Sequence, residues 1–297
     1  MLAAITISMN PVVFLNVRWY GVMVALGVLT VVIWSIWQSN KGKFSNDDAF
    51  TAAIVGIPSG IVFSKVVHVI DNIVVAKFHP ELAASGSVID YTQYPSMIFS
   101  GAGLSIEGAV LGAALGIWIY SRFNKNFKYG IFVDAIAPAI ILSQAIGRIG
   151  CTINGCCYGL PTTLPWGIVY TNQASEVSRN LLGVAVQPTQ VYEIIYNLMV
   201  FGILMGLRNK FKPAGSLFLI YLSFYAIWRI GIDFIRDGNP FLFGLHQAQV
   251  IGIIILLITI PLLVIRTRLA KGELPPEAMS GTPAGLPPEV YTGSAEK

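Results

Sequence analysis

Long apolar runs dominate this sequence and limit what the chain can fold into. The runs are Tyr20 to Trp37, Ala49 to Ile70, Leu104 to Tyr120, Ile131 to Gly150, Thr189 to Leu207, Gly215 to Ile235 and Gln247 to Ile265. Each has about the 20 residues that cross roughly 30 Å of hydrocarbon as an α-helix. Because a helix satisfies its own backbone hydrogen bonds, the pattern predicts an all-α, polytopic membrane bundle with seven transmembrane helices and not a β-barrel.

The composition agrees with a membrane protein. Charged residues make up 11% and hydrophobic residues 55% of the 297 residues, and the mean hydropathy is +0.68. Soluble proteins carry about 25% charged residues. The net charge of +4 is explained by basic loops that face anionic headgroups, so no nucleic acid is expected as a partner. The first run has no basic segment before it and is long enough to span, so we expect it to remain as the first helix and not to be cleaved.

The distribution of Lys and Arg in the loops predicts the orientation of the bundle. With the amino terminus outside, the inner segments hold twelve basic residues and the outer segments hold four. Because basic loops favour the cytoplasmic side, the carboxyl terminus is expected in the cytoplasm. Residues 1–271 are predicted to form the membrane domain, and the Pro-rich residues 272–297 a disordered cytoplasmic tail.

Two further patterns concern packing and loops. Residues 151–187 are too polar to span and are predicted to form a small outer subdomain, or cap.

Gly108, Gly112 and Gly116 repeat at intervals of four, which predicts a close approach of two membrane helices. Asp134 lies near the inner start of its helix and is interpreted as a first-turn carboxylate that the helix dipole favours.

The strongest functional signal is the stretch from Gln144 to Gly159, which reads Q-A-I-G-R-I-G-C-T-I-N-G-C-C-Y-G. It places Arg148 at the end of a membrane helix, where a charge is costly. The glycines on either side let a ligand or another backbone come close. We therefore interpret Arg148 as an anion-binding residue.

Other ionisable groups are predicted at the same outer level of the membrane. The set comprises Lys65, Arg148 and Arg229 with Glu107, Glu193 and Asp233. Its charges balance, which limits the cost of burial when the groups pair. Arginine matches phosphate oxygens two at a time. The hypothesis is an enzyme that acts on lipid headgroups at the outer leaflet.

Several of these residues also have ordinary structural interpretations. Tyr20 fits the aromatic belt at a membrane interface. Lys65 fits a side chain that extends to the headgroups. Arg229 and Asp233 are four residues apart and fit an ion pair within one helix.

The cysteines are odd in number and lack the C-x-x-C spacing. Cys151, Cys156 and Cys157 fit packing residues, while a redox pair, a metal site or an outer-face disulfide stays open. Neither a disulfide framework nor a four-ligand zinc site follows from this pattern. No metal and no cofactor are expected.

The motifs together resemble the prolipoprotein diacylglyceryl transferases of bacterial membranes. In chain order they are W-Y-G at Trp19 to Gly21, G-L-S-I-E-G, G-R-I-G, I-N-G-C-C-Y-G, Q-P-T-Q-V-Y-E and W-R-I-G-I-D-F-I-R, which ends at Arg236. The resemblance covers about the whole membrane region. It implies that phosphatidylglycerol donates its diacylglyceryl group to the thiol of a lipobox cysteine in a secreted prolipoprotein, with release of glycerol phosphate. The expected location is the bacterial cytoplasmic (inner) membrane, among membrane lipid.

The predicted outer cluster and the resemblance together give expected roles for single residues. Arg148 is expected to bind the donor phosphate and Arg229 to share it. Catalytic roles are expected for Tyr20, Glu107, Arg148 and Arg229. Substrate binding is expected for Lys65, Ser105, Asn154, Gly155, Gly159, Glu193, Tyr225, Asp233 and Arg236, together with the two arginines.

The chain departs from the family pattern at several positions. The family often has histidine where this chain has Glu107, and that histidine is a candidate base for the attacking thiol. A Glu107 whose pKa is raised by the membrane setting is one replacement for it. Family members commonly have asparagine at Cys151, glutamate at Cys156, histidine at Gln187 and glutamate at Asp233. Two alternatives stay open: a lipid or anion transporter that uses the same outer cluster, and a diverged paralogue that acts on another thiol.

Overall fold

A computed structural model describes residues 5–14, 17–78, 80–84, 88–99, 103, 105–208, 210, 213–236 and 244–272; within these ranges the side chains of residues 82, 99, 106, 107 and 268–272 are not described. The α-helices are α1 (Trp19–Asn40), α2 (Asn46–Phe78), α3 (Pro80–Ala84), α4 (Ile106–Phe123), α5 (Tyr129–Asn154), α6 (Thr189–Leu207), α7 (Ser216–Ile232) and α8 (Gln247–Gly272). The strands are β1 (Ile5–Ile7), β2 (Val12–Phe14), β3 (Val17–Arg18), β4 (Ile168–Tyr170) and β5 (Ala185–Val186).

The helices form a multi-pass membrane protein. Among the described residues, five helices are long and apolar enough to cross a membrane, namely α1, α2, α5, α6 and the Gln247–Thr267 part of α8. Two shorter apolar helices, Gly108–Phe123 and Ser216–Ile232, lie at the third and sixth predicted runs. Large side chains such as Ile54, Ile195 and Leu257 are more than half exposed on these helices, as expected where lipid replaces water. The predicted class of helical membrane protein is confirmed.

Helix α5 lies at the centre of the bundle. It packs against α1, α6 and α7, while α8 packs on α7. Its small residues Ala137 and Ala139 are fully buried. A Cβ atom at Gly150 would lie 3.0 Å from the Cα atom of Tyr20, so α1 approaches the carboxyl-terminal end of α5 closely. This contact brings the start of α1 to the end of α5 that carries Arg148.

Helices α2 and α4 form a second closely packed pair. A Cβ atom at Gly108 would lie 2.7 Å from the carbonyl oxygen of Phe63, and one at Gly112 would lie 2.7 Å from that of Ser59. A Cβ atom at Gly116 would overlap the Ser59 hydroxyl. The glycine spacing of four is confirmed as the packing seam of these helices.

The polar segment of residues 151–187, called the cap below, contributes two strands to a small sheet in the strand order β1-β4-β5. Strand β1 pairs in parallel with β4, so that Ile5 lies beside Ile168 and Ile7 beside Tyr170. Strand β5 is antiparallel to β4. Residues 5–7 therefore belong to the same sheet as residues 168–170 and 185–186. The sequence analysis predicted no strand there.

The interpretation of Asp134 as a first-turn carboxylate of its own helix is wrong. Asp134 is the sixth residue of α5, and its carboxylate accepts hydrogen bonds from the backbone N–H groups of Gly215, at 2.6 Å, and Phe218, at 2.8 Å. These groups belong to the first turn of α7, where helical N–H groups have no partner within their own helix. Asp134 thus caps a neighbouring helix.

Candidate active site

An ion pair between α5 and α6 forms the centre of the candidate site. The Nε atom of Arg148 lies 2.8 Å from Oε1 of Glu193. Both side chains are buried, with 17% and 7% of their surface exposed. Because the pair uses the Nε edge of the guanidinium, it fixes the plane in which the Nη atoms point. Nη1 of Arg148 also lies 3.8 Å from the sulfur of Cys151.

The chain turns sharply where α5 ends. Gly155 has a left-handed φ of 75° and caps the helix, a conformation that glycine adopts without a steric penalty. The side-chain oxygen of buried Asn154 accepts a hydrogen bond of 3.0 Å from Nη1 of Arg18. The same Nη1 atom lies 2.7 Å from Oε1 of Glu176. Arg18 therefore links the start of α1, the end of α5 and the cap.

The adjacent cysteines form the next turn, and α6 holds this turn in place. The Thr189 hydroxyl donates to the carbonyl of Cys157 at 2.6 Å, and the Gln190 amide donates to the carbonyl of Cys156 at 2.7 Å. Cys157 has a φ of 64°, which is unusual for a residue other than glycine. The first turn of α6 thus stabilises a strained backbone at the Cys-Cys pair.

Buried Tyr170 of the cap fastens the same region to α5. Its hydroxyl donates to the carbonyl of Thr152 at 3.0 Å and accepts from Gln190 at 3.3 Å. Burial raises the pKa of the Tyr170 phenol, so the phenol stays protonated and can donate its hydrogen bond to the carbonyl of Thr152.

Gly159 brings the end of α7 to the turn. Its N–H donates to the carbonyl of Gln187 at 2.9 Å, and the next N–H, of Leu160, donates to the carbonyl of Ile235 at 3.0 Å. A Cβ atom at Gly159 would lie 2.6 Å from that Ile235 oxygen. Only glycine allows this approach, which places Arg236 opposite the turn.

Two arginines share one carboxylate at the end of α7. Oδ1 of Asp233 lies 3.7 Å from Nη1 of Arg229 and 3.6 Å from Nη1 of Arg236. All three side chains are less than one-sixth exposed. The predicted pair of Arg229 and Asp233 is therefore present, and Arg236 joins it. The group of three has a net charge of +1, which favours a bound anion.

The cysteine turn is close to arginines of both groups. Hydrogen bonds from the Cys151 and Cys156 thiols lower the pKa of the Cys157 thiol. The guanidinium groups of Arg148 and Arg236 lower it further. The guanidinium groups of Arg148, in α5, and of Arg236, just after α7, thus both lie within electrostatic range of the Cys157 thiol.

Two predicted tyrosines complete this side of the site. Tyr20, in the first turn of α1, lies within electrostatic range of Arg148 and the three cysteines. Tyr225 of α7 lies within electrostatic range of Arg148. Helices α1, α5, α6 and α7 therefore all contribute to the region around Arg148.

Other predicted residues lie on the α2–α4 pair. Nζ of Lys65 lies 5.6 Å from the centre of the Tyr91 ring. The Ser105 hydroxyl accepts a hydrogen bond of 3.2 Å from the N–H of Gly108 and caps α4. The Glu107 side chain lies outside the described residues. The described contacts join Arg148 to Glu193 and Arg229 to Asp233.

Sequence reasoning missed several residues that shape the site. Arg18 was counted only as an outer-loop charge, and Glu176 was not considered. Thr189 and Gln190 lie in the quoted motif Q-P-T-Q-V-Y-E, which was the available signal for them. Their target, the backbone of the cysteine turn, is more than thirty residues away in the chain, so no spacing rule indicates it.

Fold and site define a polytopic helical membrane enzyme with buried, ion-paired arginines in α5 and at the end of α7. The family model described as prolipoprotein diacylglyceryl transferase matches residues 7–265. The chain belongs to the prolipoprotein diacylglyceryl transferase family, and it is a transferase.

Curated relatives support the same assignment. A protein of Dehalococcoides mccartyi is 44% identical over 270 residues, which are 89% of this chain and 96% of the relative. One of Clostridium tetani is 33% identical and covers 78% of this chain and 87% of its own length. One of Clostridioides difficile is 31% identical and covers 81% and 87%. All three are named phosphatidylglycerol--prolipoprotein diacylglyceryl transferase. These matches favour the transferase over the transporter alternative.

Proposed function

We propose that this chain transfers the diacylglyceryl group of phosphatidylglycerol to a cysteine thiol in the lipobox of a secreted prolipoprotein. The products are a thioether and glycerol phosphate. The names of the relatives supply both substrates. The observation that carries the proposal is the Arg148–Glu193 pair, which presents an oriented, buried guanidinium beside a region of positive charge.

The chemistry requires charge stabilisation at the phosphate. The thiolate sulfur attacks the glyceryl carbon that carries the phosphate ester, and a carbon–sulfur bond forms. The carbon–oxygen bond to phosphate breaks, and its electron pair stays on the phosphate oxygen. The leaving group therefore gains negative charge during the step. Fixed donors directed at that oxygen lower the barrier most.

Arg148 suits that task because its orientation is fixed before the lipid binds. Glu193 uses the Nε edge, so the Nη edge is the one directed at a phosphate. Arg229 and Arg236 share Asp233, and their excess positive charge offsets the charge of the phosphodiester. Tyr20 and Tyr225 lie near Arg148 and supply hydroxyl donors to the same headgroup.

Glu107 is proposed as the base that takes the proton of the thiol. Its place in the first turn of α4 and its position in the G-L-S-I-E-G motif support the proposal. Lys65 and Ser105 lie on the same pair of helices and are proposed to bind substrate. Glu107→Gln is expected to lower the transfer rate. A rate equal to that of the wild type would show that Glu107 is not the base.

The membrane arrangement is part of the proposal. Seven spans place the amino terminus outside and residues 272–297 in the cytoplasm, and residues 151–187 form an outer cap. The site then faces the outer leaflet of the bacterial cytoplasmic membrane, where secreted precursors emerge. Cysteine labelling from each side, at positions before α1 and after α8, tests this orientation.

The decisive test follows the labelled glyceryl group from phosphatidylglycerol to a lipobox peptide. Arg148→Gln is expected to lower kcat by at least about 100-fold, the loss typical of a donor that stabilises transition-state charge. Arg179→Gln is the matched control, because Arg179 donates to the carbonyl of Gln173 on the exposed face of the cap. Normal turnover by Arg148→Gln, with both variants inserted equally, would refute the phosphate site.

A further inference from the structure

A cavity of about 610 Å³ lies among α4, α5, α7 and α8. It is lined by the last turns of α4, the first turns of α5 and α7 and the carboxyl-terminal part of α8. Lys128 precedes α5, and Arg148 lies about 20 residues further along the chain. At a rise of 1.5 Å per residue the two are about 30 Å apart, which is about the thickness of the hydrocarbon core. The cavity is therefore separate from the candidate active site and lies toward the opposite face of the membrane.

The cavity wall combines positive charge with apolar surface. Its basic side chains are Arg122, Lys128 and Arg266, and large apolar side chains such as Phe218 and Leu262 form another part of the wall. Within the described residues, no carboxylate belongs to the lining. Cavities of about 300–1,000 Å³ are the size that holds small molecules. A wall of this kind suits a ligand that has an anionic group at one end and an apolar part at the other.

The backbone before α7 holds Arg266 in this wall. Nη1 of Arg266 donates a hydrogen bond of 3.0 Å to the carbonyl of Ala214. The next residue, Gly215, has a φ of 98°, and a Cβ atom there would lie 2.7 Å from the same Nη1 atom. Glycine therefore leaves the space that the guanidinium occupies. A guanidinium has five N–H donors, so one bond to the backbone orients it and leaves others to bind an anion.

The other two basic residues lie at the junction of α4 and α5. Cζ of Arg122 lies 5.8 Å from the centre of the Trp118 ring, and such an aromatic neighbour is typical of the membrane–water interface. Lys128 precedes the first residue of α5 and is exposed. The hydroxyl of Tyr129 donates to the carbonyl of Ala114 at 3.3 Å. This bond ties the start of α5 to α4, so the two basic side chains stay on one side of the cavity.

Asp134 is the carboxylate within electrostatic range of Arg266. It already accepts hydrogen bonds from the N–H groups of Gly215 and Phe218. The first turn of α7 therefore has its acceptor, and an anion in the cavity would be held by side chains and not by this helix end. Three basic groups and one carboxylate give a net charge of +2, which attracts an anion.

We infer that this cavity binds an anionic phospholipid that is distinct from the donor at Arg148. The phosphate lies against Arg122, Lys128 and Arg266, and the acyl chains run along the wall that contains Phe218 and Leu262. Helix α4 packs mainly against α2, so a lipid that touches α4, α7 and α8 joins the α2–α4 pair to the rest of the bundle. In the proposed orientation it belongs to the cytoplasmic leaflet. The inference does not depend on the proposed transfer reaction.

The first test counts bound lipid by native mass spectrometry of the full chain in detergent. The parent protein is Arg148→Gln, which weakens the proposed donor site, and the probe is phosphatidylglycerol. We expect one bound phosphatidylglycerol per chain. Phosphatidylcholine, which has no net charge, should bind at least about tenfold more weakly, because the basic residues attract anionic lipid. No bound lipid, or equal binding of the two lipids, would overturn the site.

Double variants of the same parent separate the cavity from general attraction to basic residues. Arg122→Gln combined with Arg266→Gln should weaken phosphatidylglycerol binding by about 30-fold, the loss expected for two basic residues at a membrane surface. Lys125→Gln combined with Lys210→Gln is the control, because both lysines are exposed but do not line the cavity. The control removes the same charge and should bind lipid like the parent. Equal losses in the two double variants would overturn the proposal.

Cross-linking on the wild type locates the lipid without requiring any variant to fold. A phosphatidylglycerol with a diazirine in its acyl chain should label the peptides of α7 and α8 that carry Phe218 and Leu262. The label should persist in excess phosphatidylcholine and in excess glycerol phosphate. Loss of the label to phosphatidylcholine would show lipid that merely surrounds the protein, and loss to glycerol phosphate would show a site for a soluble phosphate ester. Either result would overturn the proposal.

Discussion

Nε of Arg148 donates to Oε1 of Glu193 across 2.8 Å, and this contact joins the carboxyl-terminal part of α5 to the first turns of α6. Both groups are mostly buried, so each depends on the other for compensation of its charge. The contact explains how a membrane helix tolerates an arginine there. It also makes Glu193 a positioning residue for the proposed phosphate site.

The first prediction concerns Glu193. Glu193→Gln keeps the shape of the side chain but removes the charge, so Arg148 loses its fixed orientation. We expect transfer of the glyceryl group to fall by at least about tenfold, and thermal unfolding in detergent to occur earlier, because breaking a buried pair costs about 3–5 kcal/mol. Glu176→Gln is the control: its pair with Arg18 is half exposed and worth about 0–1 kcal/mol. Equal losses in both variants would contradict the prediction.

The second prediction concerns Gly159. A Cβ atom there would lie 2.6 Å from the carbonyl of Ile235, so Gly159→Ala should push the end of α7 and Arg236 away from the cysteine turn. We expect transfer to fall by about tenfold or more and the Tm to drop. Gly202→Ala, where no atom lies within 4 Å of the added Cβ, should leave both unchanged or raise the Tm slightly. An active, stable Gly159→Ala would show that the close approach is not needed.

The third prediction concerns Asp134, which caps α7 from a neighbouring helix. Asp134→Ala leaves two N–H groups without their acceptor and should cost about 0.5–2 kcal/mol of stability. Transfer per folded molecule should stay normal, because α7 begins far along the chain from Arg229 and Asp233. Unfolding in detergent measures the loss. Asp47→Ala, at an exposed position in the first turn of α2, is the comparison and should cost less; a larger loss there would argue against the cap.

The fourth prediction concerns Arg18, whose Nη1 donates to Asn154. Arg18→Ala frees Asn154 at the end of α5 and removes the link to the cap. We expect about a tenfold loss of kcat/KM and only a small change in Tm, since Arg18 is partly exposed. Glu176→Ala breaks the ion pair but keeps the contact with Asn154, so it should stay close to wild type. If both variants lose activity equally, the ion pair and not the Asn154 contact is what matters.

Residues that act within one helix or motif were predictable from sequence. Arg148 was indicated by its cost at a helix end, and Gly108, Gly112 and Gly116 by their spacing on one helical face. The pairing of Arg229 with Asp233 follows from a separation of one helical turn. In each case the periodicity of the helix carries the information.

Partners distant in the chain were not predictable. Nothing in the sequence indicates that Asp134 caps a helix that begins 82 residues later, at Ser216. The parallel pairing of β1 with β4 was missed because three-residue strands carry too little alternation to recognise. The link from Arg18 to Asn154 was missed because the two residues are 136 positions apart.

The parallel pairing of β1 with β4 has a consequence for biosynthesis. The ribosome makes Ile5 long before Ile168, its partner in the sheet, and several membrane helices must insert between them. Until β4 has been made, the backbone N–H and C=O groups of β1 have no partner strand. Assembly of this sheet is thus a late event, completed only after α5 has inserted and Tyr170 has been synthesised.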